Sequence, residues 1–581
     1  MTEEFLPVRV FAKREMDEQK VEGGGNNDTP NWVLVGDELS SRVSTLIGGL
    51  ERSLFEKEHN SDLPYVFEVR LDERDTSKSK RRFVTDMLTP GSQPSGIVGM
   101  RGSNSLVLEL RDIDEVNALK KHLGQSEKYK QAISCVVDIR RFIPSIELLH
   151  DGVGCYKVKL IPGAAAHAAT SIFEEYLNNV DLAFKRVSYS NDTIIYKLDA
   201  DGSQMRAVLD SSVSELLFSV APMPRMRATL DMLDATGLPA ITVPNDGEEY
   251  PVLGILDSGI ASNSYIGPWL KGQRWSPYID QDLDPSHGTF VAGVALYGDE
   301  MEGKTWVGGV NPRVIDAAVF PAAGVDEDEL VDNIDRAMKL YSHEVKVWNL
   351  SISIDREIRD DEFSDFAAAL DEIQDRYGVL ICKSAGNCTN FCGNEEKGRL
   401  SCGADSVRAL TVGSVAHAKG PFDAAEVGEA SPFSRKGPGP EYIIKPEVCH
   451  YGGNAGIGPF EKISQTGVRS FTVDGGVMEA AGTSFSTPRV ATLAANLAST
   501  IDGDFDPLLI KAMIIHSATF PGDALVPNDS KVDKMGFGIP GGVADMLSDN
   551  PYSSTLVLRD TLGKGEAIDI LDFPMPRVSR F

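Results

Sequence analysis

The chain holds 581 residues and carries a formal net charge of −29. An acidic excess of that size argues against nucleic-acid and anionic-membrane surfaces, which need surplus lysine and arginine, and it favours solubility. Hydrophobic residues at 42% and charged residues at 25% suit a globular protein with a full core. The length accommodates roughly three or four domains.

The first residues, MTEEFLPVRVFAKREMDEQK, contain no apolar core of signal-peptide length, and no later run approaches a membrane span. Seven scattered cysteines, an odd number, suit free thiols in a reducing compartment better than a disulfide framework. The expectation is a soluble, cytoplasmic protein.

Residues 1–62 read as an N-terminal segment with a Gly/Asn loop, VEGGGNNDTPN, and an amphipathic helix near LSSRVSTLIGGLERSLFEKE. A pattern then occurs twice, over 63–150 and 151–225. The first copy reads strand (YVFEVRL), helix (KSKRRFVTDML), strand (SLVLELR), helix (Ile113, Val116, Leu119 and Leu123 at helical spacing) and strand (AISCVVDIRRF). The second runs YKVKLIPG, a helix over AAAHAATSIFEEYL, AFKRVSYSNDTIIYKLDAD, a helix over GSQMRAVLDSS, and VSELLFSVAP. Both suggest ferredoxin-like α+β units, with one irregular α+β domain as the alternative. A Pro/Gly/acid-rich linker covers 226–247. From 248 to 550 continuous apolar strands (PVLGIL, VIDAAVF, VKVWNLSI, YGVLIC) alternate with helices, the signature of a parallel sheet buried on both faces. The tail, 551–581, returns to short strand-like pieces, STLVLRD and EAIDILDF, readable as an edge hairpin or the start of a further β domain.

Four stretches of the α/β region carry chemistry. VLGILDSGI places Asp257 at the end of an apolar strand, where sites form in doubly wound sheets. In DPSHGTFVAGVAL, Pro285 and Ser286 are helix-start signals, so His287 is expected at a helix N-terminus. There the dipole disfavours imidazolium and keeps the ring available as a base. YGVLICKSAGN ends a strand in a small-residue turn with Asn387, an amide able to donate to an oxyanion. EAAGTSFSTPRVATLAANL puts Ser484 at another helix start, with Gly482 expected to permit a sharp entry and Pro488 expected in the first turn. Each has a plain structural reading too: a strand-end Asp, a capping His, a turn Asn and a capping Ser.

Together LDSG, HGTFVAG, SAGN and GTSFSTP resemble, in the same order, the motifs of the subtilase family of subtilisin-like serine peptidases. Similarity extends over about 248–550 through VGGVNPRVIDAAVF, VWNLSIS, SPFSRKGPGPEYIIKPEV and GFGIPGGVADML. The resemblance implies a doubly wound, mostly parallel catalytic domain. It implies a polypeptide substrate, Ser484 as nucleophile, His287 as base, Asp257 as the acid that orients the ring, and Asn387 in the oxyanion hole. Ser351, Ile352 and Ser353 with Ser384, Ala385 and Gly386 would line the substrate cleft. The side chains of Ser351–Ser353, where family members usually carry a glycine, would narrow it, and Cys449-His450 replaces a small proline-containing turn. The second α+β unit has the strand and helix order of subtilase propeptides. Self-processing would then fall within about 222–248. A weaker resemblance to bacterial cytosolic subtilases encoded beside an AAA-type ATPase implies an ATPase partner and a defence role. The rival reading is a peptide-binding protein on the same scaffold that performs no turnover.

GDEMEGKT satisfies the P-loop expression but follows the expected His287 helix and is strongly acidic, which argues against phosphate binding. Cys388, Cys392 and Cys402, with Cys449 or Cys382, could hold zinc or one disulfide. Their spacing matches no standard knuckle, so free thiols are preferred. No cofactor is required for the chemistry. Many relatives bind calcium, and YIDQDLDP is the candidate stretch, although it lacks the EF-hand spacing and reads first as a solvated loop.

Overall fold

Six strands between Val252 and Tyr451 form one parallel sheet at the centre of this computed structural model. The structure describes residues 32–549 apart from 56–62, 73–77, 90–95, 103, 150–152, 164–165, 191–192, 229, 355, 394–396, 502 and 522–528. It also describes residues 6–7, 9–11 and 18–20, and residues 555–561, 563 and 566–569. In chain order the central strands are Val252–Asp257, Arg313–Ala318, Val347–Leu350, Leu380–Ser384, Leu410–Val415 and Val448–Tyr451. In space the second strand lies outside the first, so the direction of winding reverses between the first and the third.

The strands are apolar along their length because helices cover both faces. Ser286–Glu302 and Thr483–Thr500 pack on one side, around Phe290, Phe485 and Leu493. Glu327–Tyr341 and Asp365–Tyr377 pack on the other, around Trp348, Leu330 and Phe366. Where the winding reverses, the loops leaving neighbouring strands part and open a crevice. Asp257 ends the first strand and Ser351 follows the third, so both stand at that crevice.

Two antiparallel sheets precede this domain. The first joins Tyr65–Leu71, Ile97–Arg101, Ser105–Leu110 and Val136–Arg141 in the spatial order second, third, first, fourth. The second repeats that order with Val153–Leu160, Phe184–Ser188, Ile194–Asp201 and Leu217–Pro222. It also recruits Ser145–Ile146 as a parallel edge strand from ahead of residue 151. Each unit has its own apolar core.

The second unit docks through charges onto the N-terminal ends of the two helices Glu327–Tyr341 and Asp365–Tyr377. Lys157 reaches Glu327 at 2.5 Å and Asp365 at 2.9 Å, and Lys159 reaches Asp365 at 2.7 Å. Lys185 meets Asp328 at 2.7 Å and Lys197 meets Asp326 at 2.6 Å.

The tail departs from the expected edge hairpin. Leu556–Leu558 pairs in parallel with Arg9–Phe11, and Glu566–Ile568 pairs antiparallel with Glu18–Lys20, so the two pieces are strands whose partners lie at the other end of the chain. Alternating apolar residues announce a strand but not its neighbour. Among the described residues no helix is long and apolar enough to cross a membrane.

Candidate active site

Asp257 is 1% exposed and His287 is 5% exposed. The imidazole Nδ1 lies 2.9 Å and 3.0 Å from the two carboxylate oxygens, and the Ser258 N–H donates to Oδ1 at 2.8 Å. Both carboxylate oxygens are acceptors, so Nδ1 carries a proton and Nε2 is left as the basic nitrogen. Burial pulls the His287 pKa down. The charge and hydrogen bond of Asp257 outweigh it and hold the value above that of an ordinary histidine. His287 does sit second in its helix, but the dipole expected to keep the ring neutral is the weaker influence beside a carboxylate in contact.

Ser484 is the second residue of the helix Thr483–Thr500. The turn before it is held by Asn387, whose Oδ1 accepts from both the N–H and the hydroxyl of Thr483 at 2.9 Å. With its oxygen fixed, the amide turns its NH2 towards Gly482, where a Cβ would lie 3.2 Å from Nδ2. Gly482 has φ 169, an extended conformation open to any residue, so its smallness provides clearance for the amide and not a sharp turn. The Ser484 hydroxyl donates to the Ser351 carbonyl at 3.0 Å, and the Ser351 hydroxyl donates back to the Ser484 carbonyl at 2.9 Å. Pro488 explains the second bond. It lies in the second turn of the helix, not the first as expected, and it lacks the N–H that would fill the Ser484 carbonyl. Among the described residues no hydrogen bond joins Ser484 Oγ to His287.

Ser351–Ser353 and Ser384–Gly386 leave the third and fourth strands side by side. Ile352 is 3% exposed and belongs to the core cluster with Val325, Leu350 and Ile354, so its side chain faces the core. Ser384 and Ala385 are buried, and Gly386 has φ 100. A Cβ at Gly386 would press on Ser401 Oγ at 2.7 Å, so glycine is required there on both counts.

Two residues that the sequence reading passed over support this turn. The buried Arg435 donates from Nε to the Asn387 carbonyl at 2.8 Å and from Nη1 to Glu357 at 2.9 Å. Lys383, a lone charge in an apolar strand, is fully buried between the two cleft segments. That lone charge was the available signal.

Two short segments ahead of the α/β domain pair with it. Arg225–Met226 pairs antiparallel with Val325–Asp326, and Met226, 1% exposed, also bridges Ile354. Further on, Leu233–Asp234 pairs antiparallel with Met478–Glu479, just ahead of the Gly482–Ser484 turn.

The remaining candidates are not assembled into sites. All seven cysteines are free. Cys388 faces the Asn390 side chain at 3.2 Å and Cys402 faces the Glu357 carbonyl at 3.7 Å. Among the described residues no three His, Cys, Asp or Glu side chains converge to hold a metal, Cys388, Cys392 and Cys402 included. Gly298–Glu302 is the last turn of the His287 helix, and the Asp299 carboxylate takes the Val307 and Gly308 N–H groups at 2.9 Å and 3.1 Å. A carboxylate thus holds the loop donors that a phosphate would need.

The uncharacterised protein y4bN of Sinorhizobium fredii is 30% identical over 200 residues, 27% of this chain and 44% of that protein, so the chain spans less than half of the curated relative it matches. Among solved structures, the epidermin leader peptide processing serine protease of Staphylococcus aureus has 15% identity and a TM-score of 0.42, covering 68% of this chain and 98% of that one. Fervidolysin of Fervidobacterium pennivorans, a keratinolytic enzyme, has 16% identity and a TM-score of 0.44, covering 70% and 63%. The model of the subtilase family, peptidase S8, matches residues 248–538, half of the chain. This chain belongs to the subtilase family.

Proposed function

We propose that the chain is a serine endopeptidase that cleaves polypeptides through an acyl-enzyme on Ser484. The observation that carries this reading is the Asp257–His287 pair at the winding reversal, with no hydrogen bond to Nε2 among the described residues, beside a helix whose second residue is Ser484. A staggered χ1 change would take the Ser484 hydroxyl from the Ser351 carbonyl towards His287. In that role His287 accepts the hydroxyl proton as Oγ attacks the carbonyl carbon, and Asp257 stabilises the imidazolium. The Asn387 Nδ2 and the Ser484 N–H, at the helix N-terminus, receive the developing oxyanion. The proton then passes from His287 to the leaving amine.

Regulation belongs to the same reading. In this reading Arg225–Met226 and Leu233–Asp234, each β-paired to the α/β domain, hold the linker near the serine turn. The second α+β unit would hold it there through the lysine contacts, so that the N-terminal region acts as a tethered inhibitor whose removal would need a cut within about 222–248.

The test is labelling by a fluorophosphonate probe, with intact-mass measurement of the same samples. Wild-type protein is expected to label and to lose its N-terminal region, and Ser484→Ala to do neither. A wild-type chain freed of its linker that never labels would sink the enzyme reading and leave a peptide-binding scaffold. Labelling without any N-terminal loss would sink only the self-processing step.

A further inference from the structure

Lys383 is 0% exposed, and among the described residues no carboxylate contacts its ammonium. Its three hydrogens have three oxygen partners. One is the Ile352 carbonyl, on the segment that leaves the third central strand. The others are the Ser384 carbonyl at 3.0 Å and the Ser384 hydroxyl at 3.2 Å, on the segment that leaves the fourth. The ladder between these strands ends at Leu350 opposite Lys383. Beyond that pair the ammonium ties the two segments together, with a longer direct bond from the Ser384 hydroxyl to the Ile352 carbonyl at 3.5 Å beside it.

We infer that Lys383 is a positioning residue that sets the spacing of the two cleft walls, and thereby which side chain is accepted immediately before the scissile bond. The inference rests on the peptidase reading above. A buried ammonium served only by neutral oxygens is costly, and an unbranched apolar residue would suit this core more cheaply, so its presence requires a reason. Bridging two backbone carbonyls is one that an apolar residue cannot meet.

The same burial makes the bridge adjustable. It lowers the Lys383 pKa to about 7, against which Asp405 and Cys402 act only from a distance. Asp405 is itself bound by the Ser364 N–H and hydroxyl and by the Gly403 N–H. As the pH rises through neutrality the ammonium loses one hydrogen. One of the three oxygens then loses its donor, and the bridge slackens on the side that loses it.

Steady-state kinetics on protein expressed as the full chain and left to lose its N-terminal region decide the matter, using fluorogenic peptides that differ only in the residue before the cut, from pH 6 to 8.5. In wild type, KM should change around neutrality in a step that kcat does not share, since kcat follows His287. In Lys383→Met that step should vanish. The spread of kcat/KM across the peptides should narrow about tenfold, the scale at which a pocket discriminates side chains. Ser484 should still take up the fluorophosphonate. A wild-type KM that stays flat with pH overturns the inference without recourse to a variant, which covers a Lys383→Met protein that does not fold. Unchanged selectivity in a folded Lys383→Met protein also overturns it. Selectivity lost while Ser484 still labels supports it, whereas a wild-type protein that fails to label removes the peptidase reading and this inference together.

Discussion

The central sheet is held chiefly by apolar side chains, whereas the contact that holds the N-terminal region to it adds a set of ion pairs to the apolar packing of Tyr189 and Ile195. The sheet is closed by apolar side chains on both faces, with Leu253, Ile255, Trp348, Ile381 and Val412 all at 0% exposure. The docking contact sets Lys157, Lys159, Lys185 and Lys197 against Asp326, Glu327, Asp328 and Asp365. Apolar burial is indifferent to salt and nearly so to pH, whereas paired charges depend on both.

The sharpest break of the comparison comes from within the apolar domain. Asp257→Asn keeps the shape of the site but lets the imidazole take the wrong tautomer, and kcat should fall about 10⁴-fold. The pH profile gives a second readout. Only neutral His287 can act as base, and Asp257 raises its pKa, so wild-type kcat/KM should climb with pH through a value above the ordinary histidine range. In the variant, burial acts without its counterweight and the inflection should move down. An unmoved inflection would show that the Asp257 contact does not govern the ring.

Next in size is the docking contact. Lys157→Met strands Glu327 and Asp365 in a buried setting, and breaking such a pair costs roughly 3–5 kcal/mol. Lys159 still contacts Asp365, and Tyr189 still donates to Glu327 at 3.0 Å, so the low end is expected. Hydrogen exchange should quicken in Leu217–Pro222 and Val325–Asp326 while the central strands keep their protection. The charges also set a pH window. Burial would raise the Asp365 pKa, but Lys157 and Lys159 outweigh it and hold it well below the usual carboxylate range. This stabilisation is present above the unfolded value and is lost as the pH falls through the depressed one. Docking that survives acid and high salt unchanged would remove the charge argument.

Asn387→Ala, in contrast, should leave docking untouched and act on chemistry alone. Losing one oxyanion donor lowers kcat by roughly 10²–10³-fold, with KM little changed. Because Asn387 Oδ1 also holds the Thr483 N–H, the Asn387→Asp variant separates the two duties: it keeps the acceptor and removes the donor. Activity restored in Asn387→Asp would mean that the side chain serves only to hold the turn.

How much of this could be read from residues follows the same division. Apolar strands alternating with helices between 248 and 550 announced the parallel sheet because burial on both faces leaves a run with no alternation to hide it. Asp257 and His287 were visible at a strand end and a helix start, 30 residues apart, where the periodicity changes. The hydrogen bonds that organise the serine turn were not. That the Ser484 carbonyl would be served by Ser351 follows from Pro488 standing one turn deeper than the sequence suggested, a matter of where the helix begins. The lysine contacts join residues more than 125 positions apart, each an ordinary charge in a strand or helix start taken alone. The tail strands carried the right pattern, but nothing local in them indicates residues 9–11 and 18–20 as partners.

The smallest effect asks whether a charge inside the apolar domain follows the same rule as those at the docking contact. Asp316, on the outer strand of the central sheet, accepts from Arg274 Nε at 2.7 Å and from the Ile260 N–H at 3.0 Å, while its buried Oδ1 has no hydrogen-bond partner among the described residues. Burial raises its pKa to about 6, and the Arg274 pairing opposes this without cancelling it. The folded state therefore holds a proton that the unfolded state releases. The stabilisation is complete below the unfolded value and is lost as the pH rises through about 6, so the ionised group costs stability at neutral pH. Asp316→Asn keeps an acceptor for Arg274 and Ile260 without the charge and should gain about 1–2 kcal/mol at pH 7.5, a discounted reading of a two-unit shift. Thermal unfolding at pH 7.5 and at pH 4.5 should show the advantage shrinking at the lower pH, where wild-type Asp316 is already protonated. An asparagine variant that is less stable at pH 7.5 would mean that the Arg274 pairing outweighs burial, and that this domain too relies on a charge it has fully compensated.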